Sequence, residues 1–230
     1  MTRQGFALFD FDGTLAKGDS IVPFSLYAVR KGFAPLLYVS RLAQAVFGYA
    51  LHIYSDAQAK ERALSFLRGK SVKEVRDFSE SFFREILRPR IYPDARREIE
   101  RCKAEGLRVL VVTASPEVYL QPLLEELGVD DIIGTRVDVT PEGIYSGLLS
   151  GNNCKGLEKP LRIAEYLAAK GYVLDTASSW AYGDTASDLP MLNLTGHPVA
   201  VNARKKLKKA AGTDVHRVSW HLSKREIAKE

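Results

Sequence analysis

Hydrophobic runs and their spacing divide the chain into a sheet-forming part and a helical part. Phe6-Ala7-Leu8-Phe9 carries no charge and is too short for a core helix, so it reads as a buried strand. Leu107 to Val112 is rich in β-branched residues and reads as a second. Ile132 to Val139 predicts a third. The turn Pro141-Glu142-Gly143 then returns the chain through Ile144–Leu149, a hairpin appended to the sheet. A further strand ends at Gly183, and Pro198–Val201 predicts another.

From about Ile21 to Leu87 the period is helical and no strand is evident. Ser20 suits an N-cap for a helix ending near Gly32, and Pro35 suits the first turn of a second segment, Leu36 to Ile53. Ser55 with Gln58, and Ser71 with Glu74, have the spacing of capping boxes. Val75, Phe78, Phe82, Phe83 and Ile86 mark the apolar side of the last helix. Beyond it, Pro93 opens a helix to about Glu105. Pro116 opens one through Val118, Leu120, Leu123, Leu124 and Leu127, with Ser115 as its cap. A helix with Ile163, Tyr166 and Leu167, another beginning after Asp184, and a basic one from Arg204 to Ala211 complete the set. Strands separated by helices predict an α/β chain with a parallel sheet.

The segment Phe33–Tyr54 is mostly apolar, but Pro35, Arg41, Gln44 and His52 argue against a membrane span. It is expected to form a buried helical hairpin, with an interfacial helix as the alternative. At 230 residues with 46% hydrophobic content the chain is long enough for a large core and is not disordered. Net charge is +5, which favours anionic partners without arguing for nucleic acid. Cys102 and Cys154 form no disulfide framework, and the N-terminus has no basic region followed by an apolar core. Both features point to the cytoplasm.

The first strand ends in Asp10-Phe11-Asp12-Gly13-Thr14. Carboxylates at the end of a buried strand are costly unless neutralised, and hard oxygen ligands suit Mg²⁺. The second strand ends at Thr113-Ala114-Ser115, where a hydroxyl and a helix N-terminus would offer donors to an anion. Downstream lie Cys154-Lys155-Gly156-Leu157-Glu158-Lys159 and Gly183-Asp184-Thr185-Ala186-Ser187-Asp188.

In this order the stretches resemble the four motifs of the haloacid dehalogenase superfamily, subfamily IB, of phosphoserine phosphatase type. The resemblance spans nearly the whole chain. It implies a doubly wound Rossmann-like core from residues 1–18 and 88–230, with an all-helical cap, 19–87, inserted after the first strand. It implies Asp10 as nucleophile, Asp12 as general acid/base, and Thr113 with Ala114 and Ser115 at the phosphoryl group. Mg²⁺ would be held by Asp10, the carbonyl of Asp12 and Asp184, with Asp188 in support. Relatives carry one lysine before the third helix. Lys-Gly favours Lys155, but Cys154, Gly156 and Lys159 match the subfamily pattern together, and Lys159 is preferred. Asp19 falls where phosphoserine phosphatases carry a substrate-binding glutamate.

The implied activity is Mg²⁺-dependent hydrolysis of a phosphomonoester, because a haloacid dehalogenase needs no acid and lacks the second aspartate. Small metabolites such as phosphoserine or histidinol phosphate are the expected substrates. A phosphatidylglycerophosphate-like lipid, or transfer to an acceptor hydroxyl, is the alternative. Apolar residues of Leu36–Ile53 packed inward would leave a small polar pocket; lining an open groove, they would accept acyl chains.

Overall fold

The computed structural model describes residues 1–212 and 215–222; the remaining residues of the expected core segment 88–230 lie outside the described part. Strand β1 (Thr2–Gln4) leads into β2 (Phe6–Phe9), which is fully buried. β2 lies between two parallel neighbours, β3 (Arg108–Pro116) and β7 (Trp180–Gly183). On the β3 side follow β4 (Asp131–Val139), parallel, and β5 (Tyr145–Ser150), antiparallel, as the hairpin pattern predicts. On the β7 side follow β8 (His197–Val201) and β9 (His216–Val218), both parallel, completing a seven-stranded sheet. β1 pairs separately with β6 (Tyr172–Leu174).

The two-residue period sorts each central strand between two cores. Phe6, Leu8, Leu110 and Val112 face Ile163 and Leu167 of α7 (Glu158–Lys170), Leu192 of α8 (Leu189–Leu192) and Leu207 of α9 (Lys205–Ala210). Ala7, Phe9, Val109 and Val111 face the opposite core, with Ala95 and Ile99 of α5 (Pro93–Ala104). Covering both faces with helices is the doubly wound arrangement. The chain leaves β2 for β3 on one side and later places β7 on the other. A crevice therefore opens beyond the carboxyl ends of these strands.

Four α-helices lie within residues 21–87, α1 (Ile21–Arg30), α2 (Tyr38–Ala50), α3 (Asp56–Leu64) and α4 (Val72–Phe82), the last continuing as a π-helical turn over Phe83–Leu87. Both capping boxes form, at Ser55 with Gln58 and at Ser71 with Glu74. Phe24 is the hub of this layer. Its ring contacts Phe66, Phe78 and Phe82, and it meets Tyr119 of the sheet side at 4.6 Å between centroids. The hairpin β4–β5 also grips the layer through main-chain hydrogen bonds. Gly69 N donates to Tyr145 O, Tyr145 N to Lys70 O and Val72 N to Gly143 O, each at 2.9 Å.

Four expectations need correction. The helix expected from Pro116 is absent: β3 stays extended through Pro116, one tight turn follows (Glu117–Tyr119), and α6 is a single turn (Leu123–Glu126). Pro122 is the reason, because it lacks an N–H and disfavours helical geometry at Gln121. The helix after Asp184 is likewise reduced to a turn and α8. Ser20 does not cap α1; Asp19 Oδ1 does, accepting from Ile21 N at 3.1 Å and Val22 N at 3.2 Å. Finally, Phe33–Tyr54 is not a buried hairpin. Tyr38, Leu42 and Ala45 pack inward, but Leu36, Leu37, Phe47, Leu51 and Ile53 are exposed. The strands β1, β6 and β9 carry no sequence expectation, since three residues are too few for a period to show.

Candidate active site

The turn after β2 aims two carboxylates. Asp10 N stays in the sheet, donating to Tyr182 O at 2.9 Å, while the amides of Leu15 and Ala16 converge on Phe11 O. This tight loop needs Gly13, whose φ is +86°; a Cβ there would collide with the Asp184 carboxylate. Asp10 and Asp12 are thereby directed into different surroundings.

Asp10 lies with Asp184 and Asp188, one carboxylate oxygen from each within 4.8 Å of the others, all buried. Lys159, in the first turn of α7, is 1% exposed and donates to Asp10 Oδ1 and Asp188 Oδ1, both at 2.7 Å. Burial pushes the Asp10 carboxyl up, and Lys159 partly offsets it. Burial acts on Asp188 too. Lys159 outweighs it together with Thr185, whose N–H and Oγ1 donate to Asp188 Oδ2, and holds this carboxyl below the usual range. Asp184 is pushed up to about 7 by burial and by the charges of Asp10 and Asp188, against the pull of Arg204. Arg204 Nε donates to Asp184 Oδ2 at 2.9 Å.

Asp184 Oδ1 is buried and has no hydrogen-bond partner among the described residues. An orphaned carboxylate oxygen beside two further carboxylates, with oxygen as the donor type, fits a hard divalent cation such as Mg²⁺. Asp10 and Asp184 would hold it. The side chain of Asp12 stands outside this cluster, so Asp12 could join only through its main-chain carbonyl.

The Asp12 carboxylate faces hydroxyls instead. Oδ2 accepts from Ser115 Oγ at 2.5 Å and Ser20 Oγ at 3.0 Å, and Ser20 Oγ also meets Tyr119 OH at 2.8 Å. Burial, then the neighbouring charge of Asp19, pushes Asp12 up to about 7. That value suits a group that both donates and accepts a proton near neutrality. Thr113 is buried, and its Oγ1 accepts from Ser115 N at 3.1 Å. The helix N-terminus expected behind it is missing, so donors here come from the bulged end of β3.

Beyond Asp12 lies a cavity of about 390 Å³ between β3 and the helical layer. Ile21, Val22, Leu42 and Ala63 supply apolar wall; Asp19, Lys60, Ser115 and Lys155 supply polar groups. Asp19 lines the cavity, and its Oδ1 is engaged at the start of α1. Lys155 precedes α7 instead of sharing its first turn with Lys159. It points away from Asp10, to Asp56 at 2.9 Å and Tyr49 OH at 3.3 Å. A wider groove of about 770 Å³ along α4 shares no residue with the carboxylate site.

Lys60, Arg204, Ser20 and Tyr119 escape sequence reading. Lys60 Nζ donates to Ala114 O and to Asn153 Oδ1, the latter at 2.6 Å, and among the described residues meets no carboxylate at hydrogen-bond distance. Burial lowers its ammonium to about 8. In sequence it is one lysine on a polar helix, and Arg204 is one member of a basic run. Only the packing sets them apart.

The model of the haloacid dehalogenase-like hydrolase family matches residues 7–193. Protein CicA of Caulobacter vibrioides is 35% identical over 191 residues, 80% of either chain. A histidinol-phosphatase of Neisseria meningitidis is 28% identical over 90% of this chain and 95% of its own. Among solved structures, a protein with unknown function from Bordetella pertussis superposes with TM-score 0.85 at 26% identity, covering 95% of this chain and 99% of the other. A phospho-aspartyl intermediate analogue of phosphoserine phosphatase superposes with TM-score 0.65 at 21% identity over 99% of both, which shows the shared fold. With carboxylates at the ends of β2 and β7 and the family match running through both, the chain belongs to the haloacid dehalogenase-like hydrolase family and is an enzyme of its phosphatase type.

Proposed function

We propose that the protein is a Mg²⁺-dependent phosphomonoester hydrolase working through an aspartyl-phosphate on a phosphorylated alcohol, with residues 19–87 as the cap that selects it. The observation that carries this reading is the separation of Asp10 from Asp12. One carboxylate is clamped by Lys159 in a buried acidic cluster; the other is raised to about 7 at the mouth of a cavity.

Asp10 attacks phosphorus in line, the ester bond breaks, and Asp12 gives its proton to the departing alkoxide. Asp12 then takes a proton from water as the water attacks phosphorus and frees Asp10. Lys159 keeps Asp10 oriented and places positive charge beside the transferring oxygens. A bound Mg²⁺ would supply further charge stabilisation at those oxygens. Thr113, Ala114 and Ser115 flank the same space from β3, and Asp188 holds Lys159 from the far side.

The alcohol of the substrate belongs in the cavity beside Asp12. Lys60 is a partly buried ammonium with only neutral acceptors, a setting that suits an anionic group on that alcohol. Phosphoserine has such a group and histidinol phosphate has none, which ranks the first above the second. Hydrolysis and transfer to an acceptor hydroxyl share the first step, and product analysis separates them.

Asp10→Asn keeps shape and removes the nucleophilic charge. Turnover of the best substrate, or of p-nitrophenyl phosphate with Mg²⁺, should fall by about 10³ or more. Near-normal turnover in that variant would overturn the assignment.

A further inference from the structure

The helical layer leaves one contiguous apolar face in water. Leu36, Leu37, Phe47, Leu51 and Ile53 are between 66% and 85% exposed. Leu36, Val39, Ala43, Val46, Phe47 and Ala50 recur at three- and four-residue intervals and form one stripe along α2. Between Lys31 and Asp56 the chain carries no carboxylate and a single charged side chain, Arg41. Solvent-facing helices ordinarily alternate charges there, and large contiguous apolar patches mark contact surfaces.

The exposure is built in. After α2 the chain turns back sharply, with Ile53 N donating to Gly48 O at 2.8 Å and Tyr54 N to the same oxygen at 3.1 Å. The Tyr54 ring fills the place where Gly48 lacks a Cβ, and the Arg62 guanidinium lies 4.2 Å from that ring's centroid. Leu51 and Ile53 thus project from a fixed turn. The stripe is also continuous with the active-site cavity: Val46 and Tyr49 are exposed and line it together.

We propose that α2 and its flanking turns seat the enzyme on a lipid bilayer, and that the substrate is an amphiphile whose phosphate monoester reaches Asp10 while its hydrocarbon runs along α2. This rests on the phosphatase reading and names its substrate class. A segment free of carboxylates, on a chain of net charge +5, complements an anionic interface. A second copy of the chain suits the surface less well, because covering Val46 and Tyr49 would close the cavity mouth.

The test is flotation of the full chain with vesicles of phosphatidylcholine alone or mixed with phosphatidylglycerol, comparing wild type with Phe47→Glu/Leu51→Glu. Neither residue lines the cavity, so hydrolysis of p-nitrophenyl phosphate with Mg²⁺ should be unchanged and reports correct folding. Wild type should float, more strongly with phosphatidylglycerol. The variant's bound fraction should fall by at least about tenfold, as expected when two large apolar side chains no longer leave water. Hydrolysis of phosphatidylglycerophosphate in the same vesicles should fall in parallel. No flotation of wild type with either composition overturns the proposal, as does equal flotation of the variant. A dimer seen by light scattering that dissociates in the variant, without vesicle binding, assigns the face to self-association instead. If wild type floats but hydrolyses no phosphate ester, the phosphatase reading fails and the membrane surface stands.

Discussion

The carboxylate site and the α2 face treat water in opposite ways. At the carboxyl ends of β2 and β7, four charged side chains are withdrawn from solvent, and nearly every polar atom has a partner. On α2, large apolar side chains are left in water although the residues beside them are buried. Burying charge and exposing hydrocarbon are both unfavourable, so each departs from what stability alone would select. The first makes sense as chemistry on a phosphoryl group and the second as contact with something apolar. Under the proposed function, the chain keeps its reaction in the sheet and its choice of substrate in the helices.

If the sheet edge is where the reaction lives, the largest effect should come from Lys159. Lys159→Met leaves Asp10 and Asp188 buried without their shared cation. We expect kcat to fall by about 10²–10³, with loss of stability as well. Lys155→Met removes only a half-exposed pair with Asp56, worth about 0–1 kcal/mol, and kcat should change by less than about threefold. A severe loss at Lys155 with a mild one at Lys159 would move the phosphoryl site toward the helical layer and erase the contrast.

A smaller change tests how tightly the acidic cluster is built. Gly13→Ala imposes strain at φ +86° and drives a Cβ into Asp184. A cost of about 1–3 kcal/mol in stability is expected. The Mg²⁺ concentration for half-maximal activity should rise as well. Unfolding curves and a Mg²⁺ titration check both, and an unchanged Mg²⁺ requirement would separate Asp184 from the metal.

The mildest test falls on the border between the two regions. The native Lys60 ammonium titrates at about 8 against an ordinary 10.5, chiefly because of burial. Between these values the unfolded chain holds the proton and the folded chain has released it. Stability contributed at this site therefore rises with pH from about 8 to 10.5, by about 2 kcal/mol after discounting partial exposure. Lys60→Met should flatten that rise in urea unfolding. It should also lower kcat/KM by about tenfold for substrates with an anionic alcohol, and leave p-nitrophenyl phosphate nearly unaffected. Equal losses on both substrates would make Lys60 structural.

The sequence by itself determined the candidate carboxylate site of this protein. Phe6–Phe9 followed by Asp10 and Asp12 is a local signal: an uncharged run must be buried, and carboxylates at its end need a purpose. The capping boxes at Ser55 and Ser71 and the β4–β5 hairpin are local in the same sense, because their partners lie within a few residues. Tertiary structure alone decided what depends on distant partners. Lys159 is distinguished from Lys155 by a contact 149 residues away, and Arg204 by one 20 residues away. Lys60 acquires its setting from Ala114 and Asn153. For α2, the apolar pattern predicts burial, since hydrophobic periodicity records which residues avoid water but not whether the chain has enough other surface to cover them. Here α1 and α3 cover one side of the helix, and no described part of the chain covers the other.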